Sequence, residues 1–356
     1  MKITWMVNNI NQVGGIEQVV CGLSNYFTEK LNYELEIVSI NSLSSRVFYR
    51  LCESVKIEHC GLDWREATFT ALLKIVGEKM KETNSDILIT CHPTISYAVL
   101  LSKRNFKGKV VVTQHSATDS FTKKRFFMNA FLFRFADAFI VLNEEDKKQY
   151  RKMWCLAEMI PNANSNSAKT LVDYTEKVIV AAGRMEDVKG FDRLIDAFAM
   201  VTEKYPEWKL CICGSGTLEK KLKKQISDLG ITDKVILPGF IKNINDYMHN
   251  ASIFAISSHS EGFSLVLIEA MSHGLPVVSF DLPAVREISG GKGILIAQQD
   301  NVGEYASMLE KLLSSEELRR ENGREAYEIS KKYKIDSVSK MWINLFYRLL
   351  KIKAEE

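Results

Sequence analysis

The stretch Ser260-Glu261-Gly262-Phe263-Ser264-Leu265-Val266-Leu267-Ile268-Glu269-Ala270 decides how the rest of the chain is read. Two carboxylates stand eight positions apart, and a glycine turn and an apolar run that begins a helix lie between them. An apolar strand, Ser252 to Ile256, comes before. Gly274-Leu275-Pro276 and a second strand, Val277 to Phe280, come after. Strand, loop, helix and strand make a βαβ unit whose loop lies at the carboxyl end of a strand, where open α/β sheets bind ligands. The amides of Phe263, Ser264 and Leu265 are expected to be free donors of the helix's first turn, able to hold an anion. Glu261 precedes the helix and can accept from hydroxyls. Glu269 lies over a turn into it and leans back toward its N-terminus. Both carboxylates can therefore serve one ligand at different ends. The plain alternative is a capping glutamate plus a solvated one; the apolar residues between them and the α/β surroundings favour the ligand.

The same alternation of strands and helices runs through the whole chain. Ile3–Val7 reads as a buried first strand, Asn8 to Gly15 as a loop ending in Gly14-Gly15, and Ile16–Lys30 as a helix with apolar residues at helical spacing. Leu35–Ser39 and Val55–His59 read as strands, Glu66–Glu82 as a helix, and Ile87–Thr90 as a strand ending at His92. Val110–Gln114 is another strand, ended by His115, which the carboxyl-end rule points toward a ligand; the alternative is a satisfied core histidine. Asn143 can cap a helix that opens with three acids. A polar connection from Ala163 to Tyr174 separates two halves. Val178–Ala182 then leads to Gly183-Arg184 and Lys189-Gly190, Lys209–Cys213 to Gly214-Ser215-Gly216, and Val235–Leu237 to Gly239-Phe240-Ile241. Lys334–Lys353 is a last amphipathic helix. This pattern predicts two doubly wound α/β domains facing each other across a cleft.

Between Phe121 and Phe139, Lys123, Lys124 and Arg125 precede five phenylalanines. An aromatic face in the core, with a basic first turn, is the favoured reading, because the rings fall on too many sides for a surface stripe. The other is an interfacial helix touching anionic lipid.

Composition limits the classes available. The 356 residues suffice for two domains, with 46% hydrophobic and 26% charged residues and a net charge of +3. Residues 1–165 hold 21 Lys+Arg against 17 Asp+Glu, so +4, and the remainder 26 against 27, so −1. That excludes a strongly basic nucleic-acid binder and leaves the first half a weak preference for anionic surfaces. Seven scattered cysteines with no C-x-x-C point to buried thiols in a reduced, cytoplasmic protein, without a disulfide framework or zinc site. No stretch approaches a transmembrane helix. A membrane role is then peripheral, at the inner face.

Glu261 to Glu269 resembles the E-x7-E motif of the retaining glycosyltransferases of family 4, which have the GT-B fold. Gly183-Arg184-x4-Lys189-Gly190 is similar to that family's phosphate-binding pair, and Thr113-Gln114-His115-Ser116 to its histidine near the reacting sugar. The resemblance implies an acceptor-binding domain over 1–165, a nucleotide-sugar domain over 166–335, and a helix over 336–356 that packs back on the first domain. It implies transfer of a hexose or N-acetylhexosamine, with retention, from a UDP-sugar to a lipid-linked or glycan acceptor in surface polysaccharide synthesis. His115, Arg184, Lys189 and Glu261 would carry the chemistry. Gly14, Gly15, Gly183, Gly214, Gly239, Phe240, Ile241, Gly262, Phe263, Ser264, Leu265 and Glu269 would bind the donor, Glu269 through the ribose and residues 239–241 through the base. No metal or other cofactor is expected. Ser264 and Val266 depart from the family's usual glycine or proline. The alternatives are a non-catalytic GT-B module that binds sugar nucleotides and a nucleotide-cofactor dehydrogenase; the latter lacks G-x-G-x-x-G after the first strand.

Overall fold

The computed structural model describes residues 1–42, 46–63, 67–116, 118, 121–168 and 170–352. Glu66 and Lys353, the expected ends of two helices, Lys169 in the polar connection, and the last three residues lie outside them. The chain forms two units, Met1–Ser165 with Lys334–Glu356, and Asn166–Tyr333.

In the first unit, strands β1 (Lys2–Val7), β2 (Glu34–Ser39), β3 (Lys56–His59), β4 (Ile87–Thr90), β5 (Lys109–Thr113), β6 (Ala138–Val141) and β7 (Ala157–Met159) alternate with helices. These helices are α1 (Gly15–Leu31), α2 (Phe69–Glu82), α3 (Pro93–Leu101), α4 (Lys123–Phe133) and α5 (Glu144–Lys152). The seven strands pair in the order β3-β2-β1-β4-β5-β6-β7, every pair parallel. Central strands such as Ile87–Thr90 and Ala138–Val141 are buried throughout, as strands covered on both faces must be. The order reverses between β1 and β4, paired Ile3 to Ile87 and Trp5 to Ile89, and ligand loops gather outside such a reversal.

The second unit repeats the scheme. Its strands are β8 (Val178–Ala182), β9 (Lys209–Cys213), β10 (Val235–Gly239), β11 (Ile253–Ile256), β12 (Val277–Phe280) and β13 (Ile294–Ala297). Its helices are α6 (Phe191–Thr202), α7 (Glu219–Asp228), α8 (Ile244–His249), α9 (Leu265–Ser272), α10 (Pro283–Ser289), α11 (Val302–Ser314) and α12 (Glu316–Ser330). The parallel strand order β10-β9-β8-β11-β12-β13 reverses between β8 and β11. The last helix, α13 (Ile335–Leu350), belongs to the first unit. Its apolar stripe of Val338, Trp342, Leu345 and Phe346 is buried there, with Trp342 edge-on to Trp5 at 5.9 Å and Phe346 edge-on to Phe27 at 5.6 Å.

Three features depart from the sequence reading. Helix α3 and strand β7 carry no expectation at all. Pro-Thr-Ile-Ser-Tyr-Ala-Val-Leu-Leu is apolar nearly all round, so it shows no helical period, and three residues are too few for an alternating pattern. In α4 the rings divide, which corrects the favoured burial. Phe126 and Phe133 turn inward, whereas Phe127, Phe131 and, just past the helix end, Phe135 are exposed.

Candidate functional site

The loops leaving β8 and β11 hold Gly183, Arg184, Lys189 and Glu261 at the reversal of the second sheet. The β8 loop ends in one 3-10 turn, Asp187–Lys189, closed by Gly190 at φ +56°. A Cβ on Gly190 would lie 2.3 Å from the Ser257 carbonyl oxygen, so the two backbones approach only because the residue is glycine. Side chains and amides lock this approach. Ser257 Oγ donates to the Lys189 carbonyl at 2.8 Å, and the His259 N–H donates to the Val188 carbonyl at 2.8 Å. Arg193 of α6, 4.0 Å over the Phe280 ring, donates to the Ser257 carbonyl and to Asp300.

The lock delivers Lys189 to Glu261. Lys189 Nζ donates to Glu261 Oε1 at 2.6 Å, and Ser258 Oγ donates to the same oxygen at 2.8 Å. Their side chains are only 20% and 11% exposed, so solvent screens this pair less than a surface bridge. Glu261 Oε2 makes no hydrogen bond among the described residues and is left to accept from a ligand hydroxyl. Arg184 is exposed and makes no ion pair among the described residues.

Helix α9 places the second carboxylate. Its sequence is apolar on all sides and it is buried on all sides but one, so it threads the core instead of lying on it. The helix begins at Leu265 with Ser264 as N-cap, so its open first-turn amides are those of Leu265, Val266 and Leu267. The expected set of Phe263, Ser264 and Leu265 is therefore shifted by two residues, because the loop stays extended through Ser264. Ser264 Oγ is buried, caps nothing, and finds no partner among the described residues. The Phe263 ring is partly buried, 6.0 Å from Tyr333. Glu269, 4% exposed, accepts from Asn166 Nδ2 at 3.4 Å. Asn166 lies in the polar connection, where nothing in the sequence marked it.

The glycines of the neighbouring loops allow close backbone packing. A Cβ on Gly214 would stand 1.8 Å from the Gly183 carbonyl oxygen, and one on Gly216 2.4 Å from that of Met185. The Gly183 N–H donates to Cys213 at 3.0 Å, Gly214 to Gly239 at 2.8 Å, and Met185 to Ser215 at 2.9 Å. The amides of Gly183 and Gly214 are thus committed to stacking three loops, which makes these residues a floor and not anion donors. Gly214→Ala is expected to destabilise the protein by roughly 3 kcal/mol, since backbone on both sides must move; an unchanged melting temperature would refute the close-packed floor. Beyond that floor Phe240 is half-exposed and offers a ring face to a base, whereas the Ile241 side chain packs into the core around β11 and α9. Gly262 continues the Glu261 loop.

In the first unit, His115 follows β5. Thr113 Oγ1 donates to the Thr90 carbonyl at 3.1 Å and lies 2.9 Å from His115 Nε2. A hydroxyl has one proton, so Nε2 must be the donor and Nδ1 carries the lone pair. Nδ1 is buried and has no partner among the described residues. Burial alone lowers the pKa of this ring to about 4, so it stays neutral near pH 7 as an acceptor. The loop is held by Gln114, whose Oε1 accepts from Tyr150 OH at 2.6 Å and whose Nε2 donates to Thr118 Oγ1 at 3.1 Å. His92 is the N-cap residue of α3, and its carbonyl takes the Ser96 N–H at 2.8 Å.

Gly14 caps α1 in extended backbone, and Gly15 is its first residue. A Cβ on Gly14 would lie 2.5 Å from Glu17 Oε2. The Glu17 carboxylate thus packs against the Gly14 turn, and burial raises its pKa against the effect of its own backbone hydrogen bond. The spacing Gly-Gly-x-Glu was the available signal, an acid at the third position of a helix. Lys189 meets Glu261 within the second unit, where Arg184 and Glu269 also lie; His115, Gly14 and Gly15 belong to the first.

Among the described residues no group of three His, Cys, Asp or Glu could hold a metal ion, and no helix is long and apolar enough to cross a membrane. All seven cysteines are free thiols, with Cys211 and Cys213 3.8 Å apart on β9.

Comparison with known proteins agrees with this geometry. Residues 13–163 match the family model "Glycosyltransferase Family 4", and residues 162–329 match "Glycosyl transferases group 1". An uncharacterized glycosyltransferase of Haemophilus influenzae is 28% identical over 96% of this chain and 98% of its own length. A Campylobacter jejuni α-1,4-N-acetyl-D-galactosaminyltransferase, named for a diphospho-undecaprenol-linked glycan, is 26% identical over 97% of this chain and 98% of its own. The S. aureus protein TarM, solved with UDP, superimposes with a TM-score of 0.80 at 16% identity, over 97% of this chain and 99% of that one. These likenesses carry neither the dehydrogenase nor the non-catalytic reading. With two adjoining family models spanning almost the whole of both sheets, the chain belongs to the family 4 glycosyltransferases and transfers glycosyl groups on a GT-B fold.

Proposed function

We propose that the protein is a retaining, metal-independent hexosyltransferase that takes a hexose or N-acetylhexosamine from a UDP-sugar. The acceptor is a lipid-linked or glycan chain in surface polysaccharide assembly, and the work is done in the cytoplasm at the inner face of the membrane. The carrying observation is the Lys189–Glu261 pair at the sheet reversal, with Arg184 on the same loop as Lys189. Support for the donor and acceptor comes from relatives named for a diphospho-undecaprenol-linked glycan and solved with UDP.

Transfer breaks the bond between the anomeric carbon and the diphosphate oxygen, and the electron pair leaves with the phosphate. Lys189, held in place, and Arg184 supply positive charge to that oxygen as its charge grows, which stabilises the transition state more than the ground state. That supply of cations supports a reaction without metal. Glu261 Oε2 accepts from a hydroxyl of the donor sugar, the open amides of Leu265, Val266 and Leu267 face the diphosphate, and Glu269 accepts from the ribose. Retention without an enzymic nucleophile has the acceptor oxygen attack on the face from which phosphate departs, with the acceptor's proton passing to a phosphate oxygen. His115, neutral and an acceptor at Nδ1, orients the sugar through one hydroxyl.

The test is a thermal-shift panel of UDP-, GDP- and ADP-sugars and NAD in the presence of a chelator. One UDP-sugar at a hundred times its Kd adds about 2.7 kcal/mol, a rise of roughly 5–10 °C for domains of this size. Glu269→Ala abolishes the rise. A response to NAD alone, or a shift that requires added metal, overturns the reading. Retention is read separately, from the anomeric configuration of the product.

A further inference from the structure

Helix α4 presents its wrong side to solvent. Asn129, Ala130 and Phe133 are buried, and Phe126 packs 5.0 Å from the Tyr150 ring of α5. On the opposite side Phe127 is 52% exposed, Met128 40%, Phe131 55% and Phe135 54%. Phe127, Phe131 and Phe135 follow each other at four-residue steps, so their rings form one stripe along the helix and past its end. The stripe is organised: Phe131 and Phe135 meet edge-on at 5.7 Å, the Arg134 guanidinium lies 5.1 Å from the Phe131 centroid, and Lys103 Nζ donates to the Phe135 carbonyl at 2.8 Å. Leaving three rings and a methionine in water forgoes burial that the inward side of the same helix obtains. A contiguous apolar face of this kind marks an interaction site.

Charge identifies the partner. From Phe121 to Ala136 the chain has four basic residues, Lys123, Lys124, Arg125 and Arg134, and no acid. All four are exposed and none makes an ion pair among the described residues. Rings and a thioether flanked by unneutralised cations suit the boundary between acyl chains and anionic head groups. A protein partner would have to meet both a flat apolar strip and four cations; a bilayer of anionic lipid supplies both without shape matching.

We propose that the outer face of α4, formed by Phe127, Met128, Phe131 and Phe135 and rimmed by Lys123, Lys124, Arg125 and Arg134, docks the first unit on an anionic bilayer. The helix follows the loop that carries His115, so docking brings the acceptor-side loops of that unit to the surface on which a lipid-linked acceptor travels. This rests on the proposed use of such an acceptor but on a different surface from the donor site.

The experiment is co-sedimentation of the whole chain with vesicles of phosphatidylcholine, with and without phosphatidylglycerol. Wild type is expected to pellet with the phosphatidylglycerol vesicles only, and to be released by high salt. Phe131→Ser with Phe135→Ser weakens partitioning by about tenfold or more, as loss of two buried rings requires. Lys123→Glu with Lys124→Glu weakens it and reduces its salt dependence. Met200→Ser, an exposed apolar position in the second unit, leaves it unchanged. Every variant keeps the wild-type melting temperature and its rise with UDP-sugar, which separates failure of docking from failure of the donor reading. Wild type remaining in the supernatant, equal pelleting of the ring variants, or concentration-dependent self-association that the ring variants abolish would each overturn the proposal, the last in favour of a second copy of this chain.

Discussion

Replacing Lys189 with alanine is expected to lower kcat by about 10²–10³, some 3–4 kcal/mol of barrier, while the Kd of the donor rises far less. The asymmetry follows from where charge appears. Bound donor already carries a diphosphate, and the open amides of α9 and Arg184 remain to hold it. The additional charge on the leaving oxygen exists only as the anomeric bond breaks, and Lys189 is the cation already fixed in place beside Glu261. A competing effect must be weighed, because the substitution also strands the Glu261 carboxylate. Ser258 still donates to it, and the pair keeps partial solvent contact, so the stability loss should be near 1 kcal/mol. Barrier and stability effects therefore differ several-fold, and a melt run beside the kinetics separates them. Lys189→Arg should recover part of kcat, since charge is kept and its geometry changed. A loss below tenfold, or one matched by unfolding at the assay temperature, removes Lys189 from the chemistry.

The framework was legible because the signals were local. Buried parallel strands such as Val178–Ala182 read as unbroken apolar runs, and the glycines and basic residues after them mark strand ends. Lys189 and Glu261 were placed at one site only through the family resemblance, and nothing local marked their direct pairing. What creates it, the approach of Gly190 to Ser257 and the brace from Arg193, joins segments more than sixty residues apart and leaves no local trace. The same holds for Asn166 on Glu269 and for Gln114 on Tyr150. Ser264 shows the limit of a good rule: a serine before a helix should cap it, yet its φ of −98° and ψ of 92° turn Oγ away from the first-turn amides. The Phe-rich helix was misread for a different reason. Aromatic content does not say which side of a helix is covered, and in α4 the covered side is set by the neighbouring Tyr150 and Phe139.

His115→Ala is expected to reduce kcat by about 10², leaving donor affinity within a few-fold, because a lost orienting contact is felt mainly at the reacting geometry. The structure adds a condition that a bare histidine would not impose. Thr113 takes the Nε2 proton, so only Nδ1 can meet the sugar, and it can meet it only as an acceptor. Thr113→Val removes that constraint while keeping shape, frees the other tautomer, and should reproduce part of the kcat loss with no change at position 115. A pH signature follows from the same burial. The folded pKa is about 4 and the ordinary histidine value 6.5, so between those limits the unfolded chain binds more protons. Stability from this residue is complete above pH 6.5 and declines as the pH falls toward 4, by up to about 3 kcal/mol at 1.36 kcal/mol per pH unit of difference. His92 and His273 are also lowered by burial and act in the same direction, so the comparison must be with His115→Asn, which keeps both of them. Wild type should lose stability more steeply than His115→Asn between pH 6.5 and 4. Parallel curves would mean that His115 is hydrated and titrates freely, which removes the buried, always-neutral acceptor on which its proposed role depends.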